Sequence, residues 1–199
     1  MVLFAVVGAV RADLIWDSGH SEYSAGNQTR AYMYNEATVG ISGGWIGELR
    51  MFNDTHAAVN GGSLGAILTY DHSMLQFAAP SQASLIKAFD SSEVTVYGGN
   101  VLSIETVGHA VANIHAGVFS NMEAEDNSSI RLFVEDGYTV DYSGGAFSSG
   151  RISGTWLGTT TTFSFDLVDA ETMNHLQFVP EPHSILLFLT GYGLLRKKN

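Results

Sequence analysis

The chain has 199 residues and a formal net charge of −11, and only 15% of its residues are charged, against about a quarter in ordinary soluble domains. An acidic chain repels phosphate backbones, which argues against nucleic-acid binding, and the absence of cysteine excludes disulfides, thiolate metal sites and a cysteine nucleophile. The many glycines and the 45% hydrophobic content predict a folded, β-rich chain with a sizeable core.

The first twelve residues predict a signal peptide. Residues 1–10 form an apolar run, and Val10 and Ala12 are small residues at the −3 and −1 positions that a signal peptidase requires. Cleavage is therefore expected between Ala12 and Asp13. The usual positive segment before the apolar run is missing, so we expect a truncated signal peptide, with a buried strand as the alternative.

The middle of the chain, residues 35–143, is a repeat of about six units of 18 or 19 residues. The units start at Asn35, Asn53, Asp71, Asp90, Gly108 and Asp126. Apolar residues stand four positions after each start (Val39, Ala57, Leu75, Val94, Ala112, Ile130) and six positions after it (Ile41, Val59, Phe77, Val96, Ile114, Leu132). Gly-Gly pairs follow at 43–44, 61–62 and 98–99, and later apolar columns include Ile46, Leu64, Val101 and Phe119 and then Leu49, Ile67, Ile86, Ile104 and Met122.

This repeat predicts a parallel β-solenoid. Two apolar residues at period 2 make a short strand with one buried face, and the Gly-Gly pair permits a corner that a Cβ would obstruct. Matching columns 18 residues apart allow each coil to stack on the next at about 4.8 Å. The Asn/Asp column is expected to serve the turn at one corner. The alternative is a β-sandwich, and the pattern leaves the hand of the solenoid open.

Residues on both sides of the repeat are expected to cap it. The register fails after about residue 143, and strands are predicted at 152–156, 161–165 and 176–178. We expect residues 144–178 to form a β cap over the last coil, because an open solenoid end exposes a bare strand edge. Residues 13–34, with Trp16 and Tyr23, are expected to cap the first coil.

The last 21 residues, 179–199, have three parts in order. Val179, Pro180, Glu181 and Pro182 form an extended, helix-breaking motif. A largely apolar stretch, 185–195, can form a short hydrophobic helix, and Arg196, Lys197 and Lys198 would hold its end on the cytoplasmic side of a membrane. Eleven helical residues reach only about 17 Å, so a membrane span would be transient.

The tail resembles the PEP-CTERM sorting signal of Gram-negative bacteria, which joins a Pro-Glu-Pro motif, a hydrophobic helix and a basic end. The resemblance implies that an exosortase in the inner membrane cuts near the motif and releases the protein to the cell envelope or exopolysaccharide layer. It covers only the tail, and a buried C-terminal helix with a basic end is the alternative.

No residue pattern predicts catalysis, a cofactor or a metal site. Glu105 and Glu123 share a column with Lys87, and this column predicts a solvated charge ladder with a Lys87–Glu105 pair, the alternative being a catalytic carboxylate pair. His56, His72 and His109 are expected to be exposed. The interchange of Asn and Asp in the corner column indicates capping rather than calcium binding.

The sequence therefore predicts an all-β, exported, non-enzymatic protein that works as a structural or binding component of the envelope or extracellular matrix. Exosortase and signal peptidase are its expected processing partners, and exopolysaccharide is a partner that only the resemblance implies. Two alternatives remain open: a carbohydrate-active β-helix enzyme, and a self-assembling surface filament subunit.

Overall fold

A computed structural model describes residues 13–143 and 149–179, and these form fourteen strands and one short helix. The strands are β1 Leu14–Trp16, β2 His20–Tyr23, β3 Asn27–Met33, β4 Thr38–Met51, β5 His56–Thr69, β6 Met74–Phe77, β7 Gln82–Ala88, β8 Glu93–Thr106, β9 Val111–Ala124, β10 Ser129–Phe133, β11 Thr139–Asp141, β12 Arg151–Thr155, β13 Thr162–Leu167 and β14 Leu176–Val179. The helix α1 is Thr172–His175.

These strands build a parallel β-solenoid of about seven turns. Strands β2 to β10 pair in parallel with the strands one coil away, and the pairing register is the repeat of the sequence: Val39 lies opposite Ala57, and Ile46 lies opposite Leu64. The prediction of an all-β parallel solenoid is confirmed. The predicted C-terminal helix at 185–195 lies outside the described residues.

The apolar columns of the repeat line the inside of the coils. Val39, Ile67, Ile86 and Ile104 have no more than 1% of their surface exposed. Burying each of these side chains stabilises the fold by about 1.5–3 kcal/mol. Because every coil repeats the same inward positions, the core is one continuous column of stacked side chains.

The one 19-residue spacing in the repeat is absorbed at a corner. Strand β5 pairs with β6 at an offset of 18 residues, with Val59 opposite Phe77, but with β7 at an offset of 19, with Ser63 opposite Gln82. The additional residue therefore lies between Phe77 and Gln82, where the Ala79–Pro80 peptide bond is cis. Both flanking strands keep their inward columns, so the core is undisturbed.

Glycine occupies the same corner in neighbouring coils because the backbone there is left-handed. Gly44 has a φ of 80° and Gly62 has a φ of 87°. A Cβ on Gly62 would lie 2.9 Å from the carbonyl oxygen of Gly44 in the coil below. Both the dihedral angle and the close approach of the two backbones thus favour glycine at this corner.

Residues 13–34 continue the solenoid as a further coil, which is why it has about seven turns and not six. Strand β2 pairs in parallel with β4 at the usual 18-residue offset, and β1 pairs in parallel with β3. The inward residues Trp16 and Tyr23 meet edge to face, with ring centroids 6.3 Å apart, and each is 9% exposed. These two large rings cover the underlying core, the role that we expected a cap to fill.

The three predicted C-terminal strands correspond to β12, β13 and β14, and they form a mixed layer. Strand β11, which the repeat at 35–143 assigned to the solenoid, joins this layer because it pairs antiparallel with β12. Strands β11, β12 and β13 are antiparallel, whereas the end of β13 pairs in parallel with β9 and β14 pairs in parallel with β10. Trp156 is fully buried, and its ring lies against Phe119 and Phe163 at centroid distances of 5.9 and 4.3 Å. Its Nε1–H donates to the carbonyl of Gly117 at 3.1 Å. This layer covers the apolar interior at that end of the column.

Candidate functional site

The Asn/Asp column forms a ladder of turn residues. Its five Asn and Asp members share a left-handed conformation, with φ between 56° and 59°: Asn35, Asn53, Asp71, Asp90 and Asp126. Gly108, the member of the column that is neither Asn nor Asp, has a φ of 77°. The corner requires positive φ in each coil, and Asn, Asp and Gly are the residues that adopt it at the lowest cost.

Hydrogen bonds connect this ladder from coil to coil. The backbone N–H of Asn53 donates to the Asp71 carboxylate at 2.8 Å, and the N–H of Asn35 donates to Oδ1 of Asn53 at 3.2 Å. Asn35 Nδ2 donates to Asp17 at 2.8 Å, which extends the ladder into the first coil. The side chains are thus engaged in turn support, as the interchange of Asn and Asp predicts.

The charged column Lys87, Glu105, Glu123 also stacks as predicted, because Lys87 lies opposite Glu105 and Glu105 lies opposite Glu123. Lys87 Nζ is 2.7 Å from Glu105 Oε2. The hydrogen bond to Glu105 raises the pKa of Lys87. Burial raises the pKa of Glu123, and the nearby carboxylates of Glu105, Glu125 and Asp169 raise it further. The column contains the predicted ion pair with a second carboxylate stacked beyond it.

Beside this column, four aromatic rings stack at successive coils. The rings of Tyr34, Phe52, Tyr70 and Phe89 are 4.8–5.2 Å apart and within 8° of parallel. Because the faces of the rings lie against one another, the ladder exposes mainly the ring edges to solvent. Lys87 Nζ also lies 5.4 Å from the centre of the Phe89 ring. Stacking within the ladder therefore leaves ring edges, and not open ring faces, along this side of the column.

The histidines do not gather into a metal site in the described ranges, 13–143 and 149–179, where no three His, Asp or Glu side chains are arranged to hold an ion. His56, His72 and His109 are exposed, as predicted. His115 is half-buried between the rings of Tyr97 and Phe133, at 5.0 and 3.9 Å, and burial lowers the pKa of His115.

A surface that the sequence argument missed lies on the outer side of the second strand of each coil. Two adjacent outward columns contain no charged residue across six coils, and we call them the neutral strip. One column consists of Asn27, Trp45, Ser63, Gln82, Asn100 and Val118. The other consists of Thr29, Gly47, Gly65, Ser84, Leu102 and Ser120. The sequence feature that could have indicated the strip is the absence of charged residues ten and twelve positions after most repeat starts.

The neutral strip contains a shallow depression of about 260 Å³. Its lining includes the amides of Gln82 and Asn100 and the hydroxyls of Ser63, Ser84 and Ser120. Leu102 and Val118 also line it and are 58% and 64% exposed. The strip thus combines uncharged hydrogen-bonding groups with exposed apolar surface.

Most of the predicted sorting residues lie outside the described part of the chain: Ala12, Pro180, Glu181, Pro182, Arg196, Lys197 and Lys198. Asp13 is described and exposed. Val179 is the last residue of β14 and lies opposite Phe133 of β10. Within the described residues, no helix has the length and apolar character needed to cross a membrane.

Comparisons of the chain with protein-family models, with curated proteins and with solved structures find no match.

Proposed function

We propose that this chain is an exported cell-envelope or extracellular-matrix protein that works by structure and binding, without catalysis. The observation that carries the proposal is the tail: a Pro-Glu-Pro motif at 180–182, an apolar stretch at 185–195 and a basic end at 196–198. This order resembles a PEP-CTERM sorting signal. Exosortase and signal peptidase are the processing partners that the proposal names.

The position of the motif supports processing without damage to the fold. Val179 ends β14, which pairs only along β10 among the described strands. The inward columns of the solenoid lie upstream, between residues 16 and 167. Cleavage after the motif would therefore remove the hydrophobic and basic segments and leave the buried core intact.

The shape of the described domain supports a structural or binding role. About seven stacked coils make a column roughly 30 Å tall at about 4.8 Å a coil, with ladders of like side chains running along its sides. Such a column presents extended surfaces to long partners. An exopolysaccharide is the partner that the sorting signal implies.

The proposal is tested by expressing the full chain in a Gram-negative host that carries an exosortase, and by measuring the intact mass of the protein in each cell fraction. We expect an exported form that begins at Asp13 and ends near Pro182. A variant with Pro180→Ala, Glu181→Gln and Pro182→Ala should keep its tail and remain with the inner membrane, whereas the matched control Glu171→Gln should be processed normally. Full-length protein in the cytoplasm, with both ends retained, would refute the proposal.

A further inference from the structure

The neutral strip contains no charged residue, although it lies on a strongly acidic domain. Residues 13–181 contain all 20 acidic residues and only five basic ones, a formal charge of −15. Outward strand positions are where charged residues normally collect. An uncharged strip on so acidic a domain lets a neutral polymer approach without desolvating ions, while the acidic surroundings repel anionic polymers.

Near one end of the strip, in its second coil, lies an exposed tryptophan. Trp45 is 40% exposed, whereas the other two tryptophans of the chain, Trp16 and Trp156, are buried. The Trp45 ring lies over Gly47, since a Cβ at Gly47 would be 2.9 Å from Cη2 of the indole. In the next coil a Cβ on Gly65 would collide with the Gly47 carbonyl oxygen. Two glycines thus keep the surface beside the indole flat.

The strip continues from Trp45 into the shallow depression. Ser63, which pairs with Trp45, is also part of the depression lining. Gln82 and Asn100 follow in the next two coils. Each amide offers both donors and an acceptor, and each serine hydroxyl can donate or accept. Sugar hydroxyls, which also donate and accept, are the natural partners of such a set.

The spacing of the strip suits an extended chain and not a compact ligand. Each coil adds about 4.8 Å along the column, close to the length that one sugar residue adds to an extended glycan. The depression is shallow and lies along the same columns, so successive units of a chain could contact successive coils. Aromatic faces pack well on the C–H side of sugar rings, and Trp45 supplies one such surface.

From these observations we propose that the neutral strip is a binding site for an extended, uncharged polysaccharide, with Trp45 as the aromatic contact and Gln82, Ser84 and Asn100 as hydrogen-bonding groups. The inference deepens the proposed function, on which its biological setting rests, by assigning the surface and the chemical class of the partner. The binding itself is a property of the strip and is independent of export.

The test is native affinity electrophoresis of the full chain in gels that contain hydroxyethylcellulose, galactomannan or dextran as neutral polymers, or polygalacturonate as an anionic one. We expect retardation by at least one neutral polymer and none by polygalacturonate. Trp45→Ala should weaken binding by about fivefold or more, and Ser84→Glu should abolish it by placing a charge in the depression. Tyr97→Ala removes a ring that is 53% exposed outside the strip and should bind normally.

Titration of tryptophan fluorescence with the retarding polymer provides a second readout, because Trp45 is the exposed tryptophan of the three. The neutral polymer should change the emission of the wild type and leave that of Trp45→Phe unchanged. Circular dichroism of each variant checks that the fold is retained.

Three results would overturn the inference: no retardation by any neutral polymer, equal retardation of the wild type and both strip variants, or a dimer in light scattering that Trp45→Ala dissociates without any polymer binding. Failure of this inference is separable from failure of the proposed function. Tail-dependent processing without polymer binding would refute only the strip, and polymer binding by a chain that is never exported would refute only the export.

Discussion

Asn53 provides a direct test of why the corner ladder contains Asn, Asp and Gly. Its φ is 59°, its Oδ1 accepts a hydrogen bond from the Asn35 N–H at 3.2 Å, and its side chain is exposed. We compare Asn53→Gly with Asn53→Ala. Both variants lose the side-chain acceptor, but only alanine places a Cβ on a left-handed backbone.

The expected magnitudes follow from three free-energy terms. Loss of an exposed hydrogen bond costs about 0.5 kcal/mol, since water replaces the acceptor. Alanine adds about 1–2 kcal/mol for the left-handed conformation. Glycine loses about 0.5–1 kcal/mol more backbone entropy on folding, which partly offsets that difference. The alanine variant should therefore be about 0.5–1 kcal/mol less stable than the glycine variant.

The assay is equilibrium unfolding in urea followed by circular dichroism. At a slope of about 2–3 kcal/mol/M, the alanine midpoint should lie about 0.2–0.5 M below the glycine midpoint. Ala58, an outward residue of β5 without positive φ, is the matched control, and there Ala58→Gly should lower the midpoint. An alanine variant as stable as the glycine variant at position 53 would show that backbone conformation does not determine the residues of this column.

Two further substitutions test the core and the charged column. Ile67→Ala empties a fully buried position in a central coil and should lower the free energy of unfolding by about 2–5 kcal/mol in the same urea assay; a cost below 1 kcal/mol would contradict the continuous core. Because the pKa of Glu123 is raised on folding, its contribution to stability is greatest below its ordinary pKa and is lost as the pH rises through the folded value. Glu123→Gln should therefore raise Tm at pH 7 and not at pH 4, whereas Glu105→Gln, which leaves Lys87 without its partner, should lower Tm at pH 7; changes of the same sign would refute this account of the column.

Much of the fold was predictable because the pairing register of a solenoid equals the spacing of its sequence repeat. Val39, Ala57 and Leu75 stand at the same place in successive repeats and are neighbours in the structure. The Lys87–Glu105 pair followed from the same columns. In this fold a constant separation along the chain becomes a constant separation in space, so sequence columns translate directly into contacts.

The first coil and the neutral strip were harder to predict. In residues 13–34, β2 and β3 form one coil on β4, and β1 pairs with β3 as a fragment of the coil before it. Trp16 and Tyr23 replace the smaller inward residues of later coils. The repeat pattern is therefore weak in these residues. The parallel pairing of β1 with β3 and of β2 with β4 shows that they continue the solenoid. Along the columns of the neutral strip, no single residue type recurs from coil to coil. Only the outward direction of Trp45, Gln82 and Asn100 on one side of the column brings them together.

By itself, the sequence determined the coil length, the inward columns, the turn column and the Pro-Glu-Pro motif at 180–182. Each of these depends on residue type at a set spacing along one chain. The tertiary structure decided that residues 13–34 are a coil, that Trp156 closes the other end by packing on Phe119, and that the uncharged outward columns form one surface with a depression. The first coil and the uncharged columns follow the period of the repeat, but no residue type recurs along them strongly enough to mark it. The contact of Trp156 with Phe119 joins segments with no common period, and packing, unlike register, cannot be read from spacing alone.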